Sequence, residues 1–83
     1  MAEITESFDA LADALRNDGL LEEADRVQSI VNREIWVSEL YGELGLELKK
    51  IKIQYGHRFS PATREHYERV ARMVRTVFPA MEL

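Results

Sequence analysis

Residues 37–51 read VSELYGELGLELKKI, and the folding of this stretch decides the architecture of the chain. Val37, Leu40, Tyr41, Leu44, Leu48 and Ile51 recur at steps of three and four, which gathers them on one face of a helix. No alternation of apolar and polar residues at period two competes with that reading. On the same helical wheel Ser38, Gly42 and Gly45 run along one flank of the apolar face, and Glu39, Glu43 and Glu47 along the other. Two interior glycines cost about 2 kcal/mol relative to alanine, and like charges four residues apart add several tenths more. Something must offset that cost. For the glycines the expectation is close approach by a neighbouring helix, with packing recovering what propensity loses.

Upstream, Ile4, Phe8, Leu11 and Leu15 form a first helical stripe, and the NDG run at 17–19 stops it, because glycine takes the left-handed conformation at little cost. Leu20, Ala24, Val27 and Val31 form a second stripe, with Glu22 placed to pair with Arg26 four residues on. The short connection predicts an antiparallel hairpin. The pattern slips at Ile35, Trp36 and Val37, so a corner is expected there, with Ser38 as N-cap of the third helix and Trp36 in the core or at the corner. Downstream, Gly56 ends the third helix. Ser60 caps the fourth with Pro61 at its first position, where the missing N–H is not needed. Tyr67, Val70, Ala71, Val74, Val77 and Phe78 make the fourth stripe, and Pro79 closes it. The predicted fold is all-α: a compact bundle of four helices in one domain over 1–83, antiparallel neighbours joined by short turns.

Composition narrows the function classes. Eighty-three residues at 46% hydrophobic content suffice for one core, and a domain this small gains from a partner or from oligomerisation. Cysteine is absent, which removes disulfide and thiolate chemistry. No apolar run approaches the roughly 20 residues that span a bilayer. The acidic MAEITESFD start is unlike a secretory signal, so a soluble, cytoplasmic protein with no membrane partner is expected. His57 and His66 lie on opposite sides of the Ser60 cap and match no metal motif, and phosphate-loop and dinucleotide fingerprints are missing. No catalytic residue, metal or cofactor is therefore assigned, and the chain is not expected to be an enzyme. The run LKKIKIQYGHRF at 48–59 interleaves bases with Tyr55 and Phe59, but a sequence pI near 5.1 and the preference of lysine for helix C-termini argue against direct nucleic-acid binding.

Charge is divided along the chain. Residues 1–47 carry twelve acidic and three basic side chains, a net −9, whereas residues 48–83 carry three acidic and eight basic, a net +5. Glu39 suits the first turn of its helix and Glu47 can pair with Lys50, but Glu43 has no local partner, and an arginine of the fourth helix is its natural complement. That helix, however, pairs internally through Arg64 with Glu68, Glu65 with Arg69, and Glu68 with Arg72. An acidic surface left after internal pairing is the expectation, with Leu46 as an apolar anchor set among the glutamates.

Four features together resemble small helical immunity-type proteins of bacterial polymorphic-toxin systems. They are LEEADR at 21–26, the Trp36 corner, SELYGELG at 38–45 and SPATREHYERV at 60–70. The resemblance implies an antidote that binds one cognate toxin domain and occludes its active or substrate-binding surface. A nuclease with a basic cleft would suit an acidic helical face. The expected contact residues are Glu39, Glu43, Glu47, Leu46, Asp25 and Glu22. The alternative is a homo-oligomeric scaffold or adaptor, a homodimer included, in which the acidic half of one copy meets the basic helix of another.

Overall fold

In the computed structural model, which describes residues 2–33 and 36–83 without the side chains of residues 2–5 and 37, the chain folds as four α-helices. Helix α1 (Ala2–Asn17) ends as its sequence requires: Gly19 adopts φ +83°, its N–H bonds to Arg16 O at 3.0 Å, and the Leu20 N–H reaches back to Leu15 O at 2.9 Å. This pair of bonds is a Schellman closure. Its hydrophobic contact is present too, because Leu15 and Leu20 are both buried.

Helix α2 (Leu21–Val31) follows with Leu20 at its N-cap. Helix α3 (Val37–Tyr55) is capped two residues before the expected position: the Leu40 N–H bonds to Trp36 O at 2.9 Å, which makes Trp36 the N-cap and puts Ser38 inside the first turn. A 3₁₀ turn at Gly56–Arg58 leads to α4 (Pro61–Val77). There Ser60 Oγ accepts from Thr63 N–H at 3.2 Å and Pro61 opens the helix, as the SP pair predicts.

Helix contacts run α1 to α2, α2 to α3, α3 to α4 and α4 back to α1, with no backbone contact across either diagonal among the described residues. The result is a closed ring of four helices. Side-chain pairs give the directions: Asp9 with Gln28 and Arg16 with Asp25, then Arg26 with Glu47 and Arg33 with Glu43, so that residue numbers rise along one helix as they fall along the next. Consecutive helices are therefore antiparallel. The interior holds Phe8, Leu11, Leu15, Val27, Leu44, Leu48, Ile51, Val70 and Val74 with essentially no solvent exposure, and the Phe8 and Tyr41 rings meet edge to face across the α1–α3 diagonal, 6.1 Å between centroids. Ile4 of the first stripe, Ile35 of the corner and the Val37 side chain lie outside the described residues. Val77, expected in the fourth stripe, is exposed instead.

The glycine flank of α3 does what close packing requires. A methyl group on Gly45 would run into Met81 Sδ and would stand 3.1 Å from Val74 Cγ1, while one on Gly42 would lie 3.7 Å from the Phe78 ring. The flank thus receives α4 and the segment after it. That segment folds back over α3, and Lys52 Nζ holds Leu83 O at 3.1 Å.

A second junction ties α1 to α4. The Asp18 carboxylate accepts from the Ser60 N–H at 3.0 Å and from Thr63 Oγ1 at 2.6 Å, directly under the α4 N-cap. Burial pushes the Asp18 carboxyl up, but these bonds and the nearby Arg58 charge outweigh it and hold the group below its ordinary value. A negative charge at a helix N-terminus is also favoured by the dipole.

Candidate interaction surface

The three glutamates of α3 part company in the structure. Glu47 is not on the surface: it is 9% exposed, and its Oε2 accepts from Arg26 Nε at 3.0 Å. The reason is geometric. Position 47 lies on the flank of α3 that turns toward α2, opposite Gly45 on the flank that turns toward α4, so the seam between helices closes over it. Arg26 binds Glu23 as well, at 3.0 Å, rather than the expected Glu22, because Glu23 is the one on the buried side of α2. Hydrogen bonding to Glu47, followed by its charge and that of Glu23, holds the Arg26 guanidinium above its ordinary value despite some desolvation. Glu47 is accordingly a structural residue of the α2–α3 seam, and the pairing with Lys50 suggested by spacing is not made.

Glu43 does have a partner, but from the α2–α3 connection and not from α4: Arg33 Nη1 donates to it at 2.6 Å, with both side chains about half exposed. Glu39 is exposed and makes no ion pair among the described residues, and the same holds for Glu22. Asp25, largely exposed, lies 3.4 Å from Arg16, which also binds Asp13 at 3.1 Å. Asp25 thus stands with Asp13 around Arg16 at the α1–α2 seam, where Asp9 accepts from Gln28, while Glu22 is exposed on α2 and Glu39, Glu43 and Leu46 are exposed on α3.

Leu46 is 60% exposed, as its wheel position requires, but it is not alone. Ile53 is 74% exposed on the same helix, and Trp36, at its N-cap, is 78% exposed. Ile53 is seven residues, two turns, beyond Leu46 and hence on the same face, a spacing that was available in the sequence. Trp36 sits at the corner as expected but points away from the core. The outer face of α3 thus reads Trp36, Glu39, Glu43, Leu46, Lys50 and Ile53, with Lys49 beside it.

On α4, Glu65 and Arg69 come within 3.9 Å, and Glu68 turns to Arg75 at 3.8 Å, not to Arg64 or Arg72. A cleft of about 440 Å³ lies between the end of α3 and the start of α4, bounded by Lys52, His57, Phe59, Arg64, Tyr67 and Glu68. Its floor is structural: Tyr67 donates its hydroxyl to Leu48 O at 3.1 Å, and its ring stands 5.6 Å from that of Phe59. Burial, with a smaller push from Glu68, raises the Tyr67 hydroxyl to about 12, so it stays protonated at neutral pH. Among the described residues no three His, Asp or Glu side chains gather where a metal could be held, and no helix is long and apolar enough to cross a membrane.

No family model, no curated protein and no solved structure matches the chain.

Proposed function

We propose that this chain is an immunity-type binding protein, a cytoplasmic antidote that occludes the active or substrate-binding surface of a cognate toxin domain. The observation that carries the reading is the exposed Leu46, an apolar anchor on α3 with Glu39 and Glu43 on the turns before it and Glu22 and Asp25 on the neighbouring helix. A leucine with carboxylates on the turns before it suits a cleft that is basic along one rim and apolar at its floor, the kind found in enzymes that act on nucleic acids. Charge complementarity of this sort speeds association and selects the partner, while the desolvated anchor slows dissociation.

The test is a binding titration against the product of the adjacent gene, with suppression of any toxicity of that product as the second readout. Glu22→Lys/Asp25→Lys should slow association by about tenfold or more at low salt, with the difference shrinking as salt is raised. The far-UV circular dichroism of the variant should match that of the wild type, because neither residue packs in the core. Unchanged association kinetics would remove the acidic side from the contact, and a neighbouring product that neither binds nor is neutralised would overturn the antidote reading.

A further inference from the structure

The outer face of α3 changes sign at its middle. Leu46 has nine residues of the helix on either side. The exposed charges before it are Glu39 and Glu43, and those after it are Lys49 and Lys50. Glu39 and both lysines make no ion pair among the described residues, and Glu43 shares only the half-exposed Arg33. Along the same face run three of the large exposed apolar side chains, Trp36, Leu46 and Ile53. Charges left unpaired beside an uncovered apolar stripe call for a surface that supplies both the opposite signs and more apolar area.

We infer that a second copy of the chain is that surface: two α3 helices pack antiparallel about a twofold axis through Leu46. The inference rests on the reading of this face as a contact surface and names its occupant when no toxin is bound. In an antiparallel pairing about this axis, positions equally far from Leu46 lie at the same height and each flank stays on its own side. Leu46 meets Leu46, Glu43 meets Lys50 of the second copy on the shared flank, and Glu39 lies one turn from that same Lys50. Ile53 of each copy falls opposite Glu39 and next to Trp36 of the other, so the indole covers the isoleucine at both ends. A parallel pairing would instead stack glutamate on glutamate and lysine on lysine, which charge repulsion disfavours. The interface is isologous, so each contact occurs twice. One face of a helix about 28 Å long is small, below the roughly 1,200 Å² that standard interfaces bury, and the dimer is therefore reversible in the micromolar range.

The test uses the full chain and two charge variants. Sedimentation equilibrium should show a monomer–dimer equilibrium for the wild type, weakened about tenfold or more at high salt because exposed pairs are screened. Trp36 is the only tryptophan, so its emission should move to the blue as concentration rises. Glu39→Lys/Glu43→Lys makes the face wholly basic and Lys49→Glu/Lys50→Glu makes it wholly acidic. Each variant alone should be monomeric, and an equimolar mixture should restore a dimer. A wild type that stays monomeric to millimolar concentration overturns the inference, as does a dimer that persists in both variants, which would place the interface elsewhere. Toxin binding is followed separately with Glu22→Lys/Asp25→Lys, which leaves the α3 stripe intact. A monomer that still captures toxin overturns the dimer alone, and a dimer indifferent to toxin upholds this inference while overturning the antidote.

Discussion

Glu47→Gln is the substitution that separates a glutamate of the fold from a glutamate of the surface. It keeps the shape of the side chain and removes only its charge. In the structure the Glu47 side chain is 11% exposed and accepts from Arg26 Nε at 3.0 Å, while Arg26, 45% exposed, also holds Glu23. A charge-assisted hydrogen bond contributes about 1.5–3 kcal/mol. Arg26 keeps one carboxylate and remains half in water, so the expected loss is reduced to about 1–2 kcal/mol. For a domain of this size each kcal/mol moves the melting temperature by about 4–8 °C, which predicts a fall of roughly 5–15 °C. Urea and thermal unfolding followed by circular dichroism would measure it, with Glu39→Gln as the control, expected to stay within about 0.5 kcal/mol of wild type. A double-mutant cycle with Arg26→Met should return a coupling of about 1 kcal/mol. If Glu47→Gln unfolds at the same urea concentration as Glu39→Gln and the cycle shows no coupling, the Arg26–Glu47 pair does not hold the α2–α3 seam, and the assignment of Glu47 to the fold is refuted.

Other perturbations test the remaining joints. Asp18→Ala strips the acceptor from the Ser60 N–H and the Thr63 hydroxyl and should cost about 1–3 kcal/mol near neutral pH. Because the Asp18 carboxyl is held below its ordinary value of 3.8 in the fold, its contribution is complete above that pH and is lost as pH falls through the lowered value; urea midpoints of wild type and variant should therefore converge in strong acid. Tyr67→Phe removes the bond to Leu48 O at a cost of about 1 kcal/mol near neutral pH. Its folded value of about 12 lies above the ordinary 10.0, so the unfolded chain ionises first, and wild type should lose stability relative to the variant between those two pH values. Gly42→Ala meets only ordinary contact with Phe78 and should stabilise by up to about 1 kcal/mol through helix propensity, whereas Gly45→Ala must displace Met81 and crowd Val74 and should destabilise; thermal melts of the two variants should move in opposite directions.

The helices and their ends were legible because they are local. Spacing of three and four located the buried stripes, a glycine with positive φ closed α1, and the Ser60–Pro61 pair opened α4. What spacing could not supply was the fate of residues at the edge of a stripe. Glu47 and Glu43 are four residues apart on one flank, yet one is sealed into the seam and the other is half exposed, because the outcome depends on how near α2 lies at each turn. Arg26 likewise chose Glu23 over Glu22 for reasons set by the facing helix. Trp36 was expected in the core or at the corner; it takes the corner, as the N-cap just before the first turn of α3, and is 78% exposed there. Of the six contact residues named from the sequence, Glu22, Asp25, Glu39, Glu43 and Leu46 are exposed, and Glu47 is not. Ile53 was readable from its two-turn distance to Leu46, but its place in a basic, interleaved run drew attention to charge instead.

The periodic glutamates of α3 are therefore three solutions to one electrostatic problem. Three carboxylates four residues apart repel one another, and the fold relieves that repulsion by treating each differently. Glu47 is neutralised by Arg26 in the seam, Glu43 is partly neutralised by Arg33 at the surface, and Glu39 is left to the helix dipole in the first turn. Negative potential on this face is thus strongest at its N-terminal end, beside Trp36, and fades toward Leu46, beyond which the lysines reverse it. A gradient of this kind gives the face a direction. Any partner, whether a toxin cleft or a second copy, has to present its cationic end to the start of α3, and a docking run the other way would set like charges together along the whole helix.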